Sequence, residues 1–313
     1  MSKSVSAIKY NFSAGTFKDT TFIDGLGLQL MKLSAKMTKP LEYNGLSVAH
    51  RLLRSFFPSS RNIETDLLPD TKFVFPYGDG YWGMLLDNST RYSPEVDQFL
   101  LGLKDVDYSF IDCGANYGYM SSIMTSDTFG NKPSIAIEAD PRTFQVLKQN
   151  VAINGNRYEI MNRAIFSKSG EMVNMCGAKH EARSILDENG QMHDGNVETL
   201  AVDDVLDWVE AQDTNKVMLK LDVEGVEIDA MKGATELLKK DLIIFYEDHA
   251  SDKSHEVSKY FLEELGMRVF FPDMTSCDEI KTLDDVAKIK TNARTGYDFI
   301  ATNSKEWLDI ITR

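Results

Sequence analysis

The sequence predicts an α/β fold in which a mostly parallel sheet carries helices on both faces. Short apolar segments of strand length alternate with amphipathic segments of helix length from about residue 109 to the end of the chain. This alternation is typical of sheets built from βαβ units. The chain has 313 residues, which suits one domain of about 200 residues with an added N-terminal part.

Each element of the predicted sheet follows from this alternation. Strands are predicted over residues 109–113, 134–138, 158–162, 197–201, 217–222, 242–247, 267–271 and 297–302. Helices are predicted over residues 117–126, 141–153, 203–210, 228–239 and 254–265. A short hairpin is expected around Ser169-Gly170, and a polar loop is expected over residues 177–196. No long helix is predicted between the last two strands.

Residues 1–92 are predicted to form a helical and hairpin extension, and residues 93–313 the main domain. Apolar side chains recur at helical spacing over 22–37, and a second helix is predicted over 48–57. Whether this extension is a lid or a dimer arm stays open.

The segment 71–86 contains a formal G-x-G-x-x-G motif, Gly78 to Gly83, between two apolar runs. A dinucleotide site would need a helix directly after the third glycine, whereas Asp-Gly between apolar runs favours a hairpin. We therefore expect a hairpin, with a nucleotide-dependent oxidoreductase as the alternative from another functional class.

Charge is distributed unevenly along the chain. The net charge of -14 argues against nucleic acid as the main partner, because phosphate binding needs a basic surface. Residues 1–62 nevertheless carry nine Lys or Arg against three acidic residues. A solvated face that docks on the acidic body or on a second subunit is expected, which leaves a homo-oligomer open. An anionic acceptor or a membrane surface is the alternative partner.

The cysteines and the hydropathy pattern bear on localisation. The three cysteines, Cys113, Cys176 and Cys277, are far apart and form no C-x-x-C motif. No signal peptide and no apolar run of membrane-spanning length is visible. A cytoplasmic protein with reduced thiols is expected.

A glycine turn follows the strand over 109–113. Gly114 allows the backbone to turn sharply close to a ligand, and Gly118 keeps the next helix close to the strand. The spacing G-x-x-x-G without lysine differs from the motifs that bind a pyrophosphate or a nucleoside triphosphate. The ligand at this turn therefore need not carry phosphate.

Three segments together carry a resemblance to a known family: DCGANYG at 112–118, IEAD at 137–140 and LKLDVEG at 219–225. They resemble the FkbM-type S-adenosylmethionine-dependent methyltransferases, which are mostly O-methyltransferases acting on sugars and other hydroxyls. The resemblance covers roughly residues 108–250. It implies a class I methyltransferase (Rossmann-like) fold with a seven-stranded sheet. It also implies S-adenosyl-L-methionine as cofactor and a hydroxyl of a sugar, glycan precursor or related metabolite as acceptor.

Glu138 is the main candidate for binding the cofactor. It ends the second strand, where a carboxylate can accept hydrogen bonds from both ribose hydroxyls, each worth about 1.5–3 kcal/mol. An acid that only caps the helix after Asp140 is the alternative. The resemblance further implies contacts of the cofactor with the following residues: Asp112, Gly114, Asn116, Gly118, Ala139, Asn162 and Ala164.

Ionisable side chains close the fourth and fifth strands, at the edge where open α/β sheets bind ligands. In one mechanism, Asp222, Glu224 or His249 acts as general base on the acceptor hydroxyl. In the other, Asp222, Glu247 and Asp248 hold a divalent cation, for which Mg²⁺ suits an all-oxygen set.

Two further readings of the main domain remain. An N-methyltransferase of the same fold is the nearer one, although DVEG follows the fourth strand where [DNS]-P-P-[YFW] is common in that class. A non-catalytic scaffold is the other, and the intact motifs argue against it.

Overall fold

The computed structural model describes residues 6–89, 91–177, 183–187, 189–273 and 276–312. The chain forms two compact units. The first comprises the residues up to Pro94 together with Gln149–Gly155, and the second comprises Glu95–Lys148 and the residues from Asn156 onward. The boundary expected between residues 92 and 93 stays a prediction.

The described residues form short strands and helices throughout. The strands are β1 Ile8–Asn11, β2 Thr16–Lys18, β3 Asn62–Leu68, β4 Thr71–Pro76, β5 Ser109–Cys113, β6 Ser134–Ile137, β7 Glu159–Met161, β8 Ala164–Ile165, β9 Met172–Val173, β10 Val197–Leu200, β11 Lys216–Leu221, β12 Asp241–His249, β13 Arg268–Pro272, β14 Cys277–Ile280 and β15 Gly296–Thr302. The helices are α1 Phe22–Thr38, α2 Leu46–Phe56, α3 Pro94–Gly102, α4 Tyr119–Met124, α5 Pro141–Ile153, α6 Leu206–Glu210, α7 Glu227–Lys232, α8 Glu256–Lys259, α9 Leu283–Ile289 and α10 Lys305–Ile311.

The second unit is built on a sheet with the strand order β14-β13-β15-β12-β11-β5-β6-β7. The five strands from β12 to β7 run parallel, whereas β15, β13 and β14 add antiparallel pairs at one side. The central strands β5 and β11 are buried along almost their whole length, as expected for parallel strands that helices cover on both faces. The predicted α/β class is therefore confirmed.

Two strand predictions differ from the structure. The segment predicted over 197–201 lies outside the main sheet, since β10 pairs with β8 on one side and β9 on the other. The predicted hairpin around Ser169-Gly170 is also wrong, because β8 and β9 each pair with β10 and not with each other. Gly170 N donates to Thr199 O at 3.1 Å, so the turn closes on β10 and not on itself. The main sheet has eight strands because β14, which the sequence did not reveal, adds an edge.

The first unit contains a sheet of order β2-β1-β3-β4 and the helices α1 and α2. Gln149–Gly155 belongs to this unit, where Asn150 accepts a hydrogen bond from Val74 N and donates one to Val74 O.

The hairpin predicted over residues 71–86 is wrong. β4 pairs with the preceding strand β3, and the chain after β4 forms a 3-10 helix over Trp82–Leu86. The glycines of this segment allow close packing: an added Cβ would lie 2.7 Å from Ser47 Cβ at Gly80 and 2.3 Å from His50 Cε1 at Gly83. The G-x-G-x-x-G pattern therefore serves packing, and no α-helix follows its third glycine.

Helix α1 confirms the predicted helix, but most of the apolar residues that predicted it do not lie on its buried side. The apolar residues that predicted the helix include Phe22, Leu26, Leu33 and Met37, and these four are exposed. The buried face is formed by Asp24, Gly27, Leu28, Met31 and Ala35. Within the described part of the chain, no helix has both the length and the apolar character needed to cross a lipid bilayer.

The ends of three strands are tied together by main-chain contacts at the glycine turn. Gly114 N and Ala115 N each donate to Ile137 O at 3.0 Å, which joins β5 to β6. Asp222 N donates to Cys113 O at 3.2 Å, which joins β11 to β5. Gly114 has a φ of +79°, and a Cβ on it would lie 1.7 Å from Asp222 O. Glycine is thus required here both for its backbone conformation and for space.

We expect the substitution Gly114→Ala to lower the free energy of unfolding by about 2–5 kcal/mol, because it adds left-handed strain and an overlap with rigid main chain. Urea unfolding followed by circular dichroism measures the change. Gly102→Ala is the matched control, since nothing lies within 4 Å of an added Cβ there. Its effect should stay within about 0.5 kcal/mol. Equal effects of the two substitutions would contradict the close approach.

Candidate active site

The predicted site residues follow parallel strands of the main sheet and lie at one edge of it. Asp112 lies in β5, Glu138 directly follows β6, Asp222 directly follows β11 and Glu247 lies near the end of β12. Since the carboxyl ends of parallel strands meet at the same edge, the fold brings together residues that are far apart in the sequence.

Glu138 is held by the backbone on both of its carboxylate oxygens. Asn116 N donates to Oε2 at 2.8 Å, and Asp140 N donates to Oε1 at 2.8 Å. The side chain is 8% exposed. These two hydrogen bonds fix the orientation of the carboxylate beside the glycine turn.

The glycine turn shapes the backbone beside Glu138. Asn116 has a φ of +52° and its side chain accepts a hydrogen bond from Tyr117 N at 2.8 Å. Gly118 has a φ of +82°, and a Cβ on it would lie 2.4 Å from Leu147 Cδ1 and 2.8 Å from Tyr158 Oη. Gly118 therefore permits close packing of the turn on helix α5, as the sequence suggested.

Asp112 is completely buried in β5. Its Oδ2 accepts hydrogen bonds from Ser121 N at 3.2 Å and from Ser121 Oγ at 2.6 Å. Its Oδ1 accepts no hydrogen bond from the described residues and lies 3.5 Å from Lys220 Nζ. Lys220 Nζ also lies 3.1 Å from Asp222 Oδ2, so this lysine joins the carboxylates of the two strands.

Asn162 supports the loop after β6 through its side chain. Its Nδ2 donates to Glu138 O at 2.8 Å and to Ala139 O at 2.9 Å. Both amide hydrogens are thus used to hold the backbone that carries Glu138. Ala164 is buried in β8, in an apolar cluster against which Ala139 packs. The predicted contacts of Asn162 and Ala164 with the cofactor stay predictions.

Three carboxylates converge at the ends of β11 and β12. Oxygen atoms of Asp222, Glu224 and Glu247 all lie within 4.8 Å of one another. The register explains part of this, since Leu221 pairs with Tyr246 and the next residue on each strand is an acid.

The loop after β11 is held by a buried glutamate of helix α7. Glu224 and Gly225 have φ values of +56° and +95°, so the chain turns tightly after the strand. Glu227 accepts hydrogen bonds from Val223 N at 3.2 Å and from Gly225 N at 3.1 Å. These bonds fix the conformation from which Glu224 reaches the other acids.

Burial and mutual repulsion raise the pKa of the acids at this edge. The pKa of Glu247 is raised well above 4.5 by burial and by the neighbouring charges of Asp222 and Asp298. The pKa of Asp298 is raised to about 7, first by burial and then by Asp222, while Lys220 lowers it. Negative charge is therefore concentrated at this edge, and a proton or a cation there would relieve the repulsion.

Asp298 belongs to this edge although the sequence did not single it out. β15 runs antiparallel to β12 and places Asp298 opposite Glu247. The carboxylate of Glu247 lies over Gly296, where a Cβ would come 2.2 Å from Glu247 Cδ. The sequence carried no local signal for this placement, because it depends on the pairing of β15 with β12.

Asp248 corrects the predicted metal set. Successive residues of a strand point to opposite faces, so Asp248 lies across the sheet from Glu247. It is completely buried, forms an ion pair with Lys290, and accepts a hydrogen bond from Ser258 Oγ. Because its charge is balanced there, Asp248 does not join Asp222 and Glu247. The described residues place Glu224 in that position.

His249, a candidate base, lies at the exposed end of β12. Its Nδ1 lies 2.7 Å from Ser251 Oγ. Its part in proton transfer stays a prediction.

Arg183 ties the polar loop to the residue that caps the start of helix α5. Its guanidinium forms an ion pair with Asp140 and donates to Met175 O at 2.8 Å. Asp140 also accepts from Arg142 N at 2.7 Å, which caps helix α5. The sequence did not identify this arginine, since its partner lies 43 residues away. In the described part of the loop, Ile185 packs in the apolar cluster that contains Val226.

Comparison with known proteins identifies the family. The sequence model described as the methyltransferase FkbM domain matches residues 112–269. A search of curated proteins finds no match to the chain.

Solved structures give weaker similarities. A methyltransferase FkbM from Methylobacillus flagellatus is 15% identical, with a TM-score of 0.38, over 69% of this chain and 46% of that one. This chain thus spans about half the length of that relative. A precorrin-6y C5,15-methyltransferase from Geobacter metallireducens is 13% identical, with a TM-score of 0.38, over 70% of this chain and 96% of that one. P. horikoshii TYW2 in complex with MeSAdo is 12% identical, with a TM-score of 0.37, over 85% and 83% of the two chains.

The region of the family match begins at Asp112, before the glycine turn, and ends in β13. It contains Glu138, the acids after β11 and Glu247 near the end of β12, and it covers half of the chain. The chain therefore belongs to the FkbM methyltransferase domain family, and it has the class I methyltransferase fold that implies S-adenosylmethionine as cofactor.

Proposed function

We propose that this protein transfers a methyl group from S-adenosylmethionine to a hydroxyl of a sugar, a glycan precursor or a related metabolite. The observation that carries the proposal is the position of two acidic features at one sheet edge. The single oriented carboxylate of Glu138 lies beside the glycine turn, and the group formed by Asp222, Glu224 and Glu247 lies after the neighbouring strands. The carboxylate of Glu138 suits the hydroxyls of a ribose. The group of three acids suits an acceptor hydroxyl that must lose a proton.

The residues around the glycine turn fit the cofactor. Glu138, whose carboxylate Asn116 N and Asp140 N orient, would accept hydrogen bonds from the ribose hydroxyls. Asp112 and Gly114 would lie near the methionine end, where the buried Oδ1 of Asp112 accepts no hydrogen bond from the described residues. Asn162 would position the loop that carries Glu138. The bound cofactor supplies an activated methyl group.

The acid group would orient the acceptor and take its proton. Asp222 is the residue we propose as general base, because its carboxylate belongs to the acid group and also faces the charge of Lys220. Glu224 and Glu247 would accept hydrogen bonds from other hydroxyls of the acceptor. A general base contributes roughly 10²–10⁴-fold to the rate, whereas correct positioning contributes about 7–11 kcal/mol.

A divalent cation is the second mechanism, and the spacing of the acids favours it. Three carboxylates within 4.8 Å of one another form an all-oxygen set of the kind that binds Mg²⁺. Such a cation would neutralise the repulsion that raises the pKa of Glu247. The set proposed here is Asp222, Glu224 and Glu247.

Glu138→Ala should weaken the binding of S-adenosylhomocysteine by about tenfold or more, because hydrogen bonds to a charged group are lost. Isothermal titration calorimetry measures the affinity, with NAD as a second ligand that should not bind. Glu198→Ala is the matched control, since Glu198 pairs with Arg163 on the surface and should not affect binding. Unchanged affinity in Glu138→Ala would contradict the ribose assignment, and binding of NAD alone would favour the oxidoreductase alternative.

Asp222→Asn should lower the methylation rate by about 10²-fold or more and change the affinity for S-adenosylhomocysteine far less, because a base acts on the reaction and not on the cofactor. Release of S-adenosylhomocysteine with a panel of free and nucleotide-linked monosaccharides measures the rate. Asp229→Asn is the control, since Asp229 pairs with Lys232 on the surface of helix α7. Equal losses of rate and affinity would assign Asp222 to cofactor binding.

The same assay with a chelator distinguishes the two mechanisms. Activity that survives EDTA supports the general base alone, whereas a loss that Mg²⁺ restores supports the cation.

A further inference from the structure

The first unit carries two helices whose apolar side chains face solvent. On α1, five large apolar residues are exposed by 44–87%: Phe22, Ile23, Leu26, Leu33 and Met37. On α2, Val48, Leu52 and Phe56 are exposed by 56–69%. Single exposed apolar residues are normal on a protein surface, whereas a set of eight on two packed helices marks an interaction surface.

The spacing of these residues gives each helix an ordered apolar stripe. Phe22, Leu26, Leu33 and Met37 are separated by four, seven and four residues and therefore lie along one side of α1. The opposite side of α1, with Leu28 and Met31, is already buried. On α2, the three exposed residues are spaced by four. One side of α1 therefore packs in the core of the unit, and the exposed stripes of α1 and α2 do not contribute to that core.

The charge of these helices limits what can cover the stripes. Residues 22–57 contain five basic side chains, Lys32, Lys36, Lys39, Arg51 and Arg54, and two acidic ones. One of the acids, Asp24, is buried and paired with Arg61 at 2.9 Å. Lys36, Arg51 and Arg54 are exposed on the same helices as the stripes. The complementary partner must therefore offer both apolar and anionic groups.

A second copy of the chain fits these requirements poorly. A symmetric dimer would place the two stripes against the same stripes of the other copy, which brings basic side chains next to basic side chains. An anionic lipid bilayer meets both requirements, because acyl chains accept the apolar stripe and phosphate headgroups accept the flanking Lys and Arg.

We propose that helices α1 and α2 bind the surface of an anionic lipid bilayer. The helices lie in the plane of the interface, with Leu26, Leu33 and Leu52 among the side chains at the boundary between headgroups and acyl chains. Lys36 and Arg51 lie at the level of the phosphates. This binding is independent of the proposed methyl transfer, so either can fail without the other.

Flotation of the full chain with vesicles tests the proposal. Vesicles of phosphatidylcholine with 30% phosphatidylglycerol should bind the protein about tenfold or more tightly than vesicles of phosphatidylcholine alone, and added salt should weaken binding. The triple substitution Leu26→Ser, Leu33→Ser and Leu52→Ser should reduce binding by about tenfold or more. Met172→Ser is the matched control, because Met172 is an exposed apolar residue on β9, outside the two helices.

The charged residues are tested separately. Lys36→Glu with Arg51→Glu should remove the preference for anionic vesicles, whereas Lys239→Glu on another part of the chain should not. The substituted residues are exposed, so circular dichroism should show an unchanged fold. The absence of wild-type binding to anionic vesicles would overturn the proposal, as would binding that the triple substitution leaves unchanged. A third outcome would assign the stripes to a second copy of the chain. In that case the wild-type protein does not bind vesicles and forms a dimer, and the triple substitution dissociates this dimer.

Discussion

The close approach of the chain after β5 to the chain after β11 is the constraint on which the candidate site depends. Gly114 lies so near the main-chain oxygen of Asp222 that any side chain would overlap with it. Hydrogen bonds of the backbone then connect the same turn to Ile137 at the end of β6. Three strand ends are thus positioned by main chain alone. Asp112, Glu138 and Asp222 take their places from these contacts.

Unbalanced negative charge is the second property of the site. Burial and the proximity of Asp222, Glu224, Glu247 and Asp298 raise the pKa of Glu247 and of Asp298. Lys220 is the cation near Asp222 and Asp112 in the described structure. Excess negative charge in a cluster favours the binding of a proton or a cation. This property links the geometry to deprotonation of a hydroxyl, and it distinguishes this region from the Glu138 side, where two amide donors stabilise a single carboxylate.

Local patterns made the fold predictable from the sequence. The alternation of apolar and amphipathic segments gave the main sheet, and the position of Glu138 at a strand end followed directly from it. Asp298 could not be found in this way because its place depends on a strand pairing across 51 residues. Asp248 is separated from Asp222 and Glu247 because side chains alternate between the two faces of a strand. This rule can be applied only when the position of the strand is known. Helix α1 shows another limit: helical spacing identified the element, but both of its sides carry apolar residues, and periodicity does not tell which one is buried.

The account is tested most directly by a crystal structure of the protein with S-adenosylhomocysteine. We expect the two ribose hydroxyls on the carboxylate of Glu138, the homocysteine end beside Asp112 and Gly114, and the sulfur on the side of the glycine turn that faces Asp222. Density for the ligand away from Glu138, or a ribose bound by other side chains and not by Glu138, would contradict the central claim.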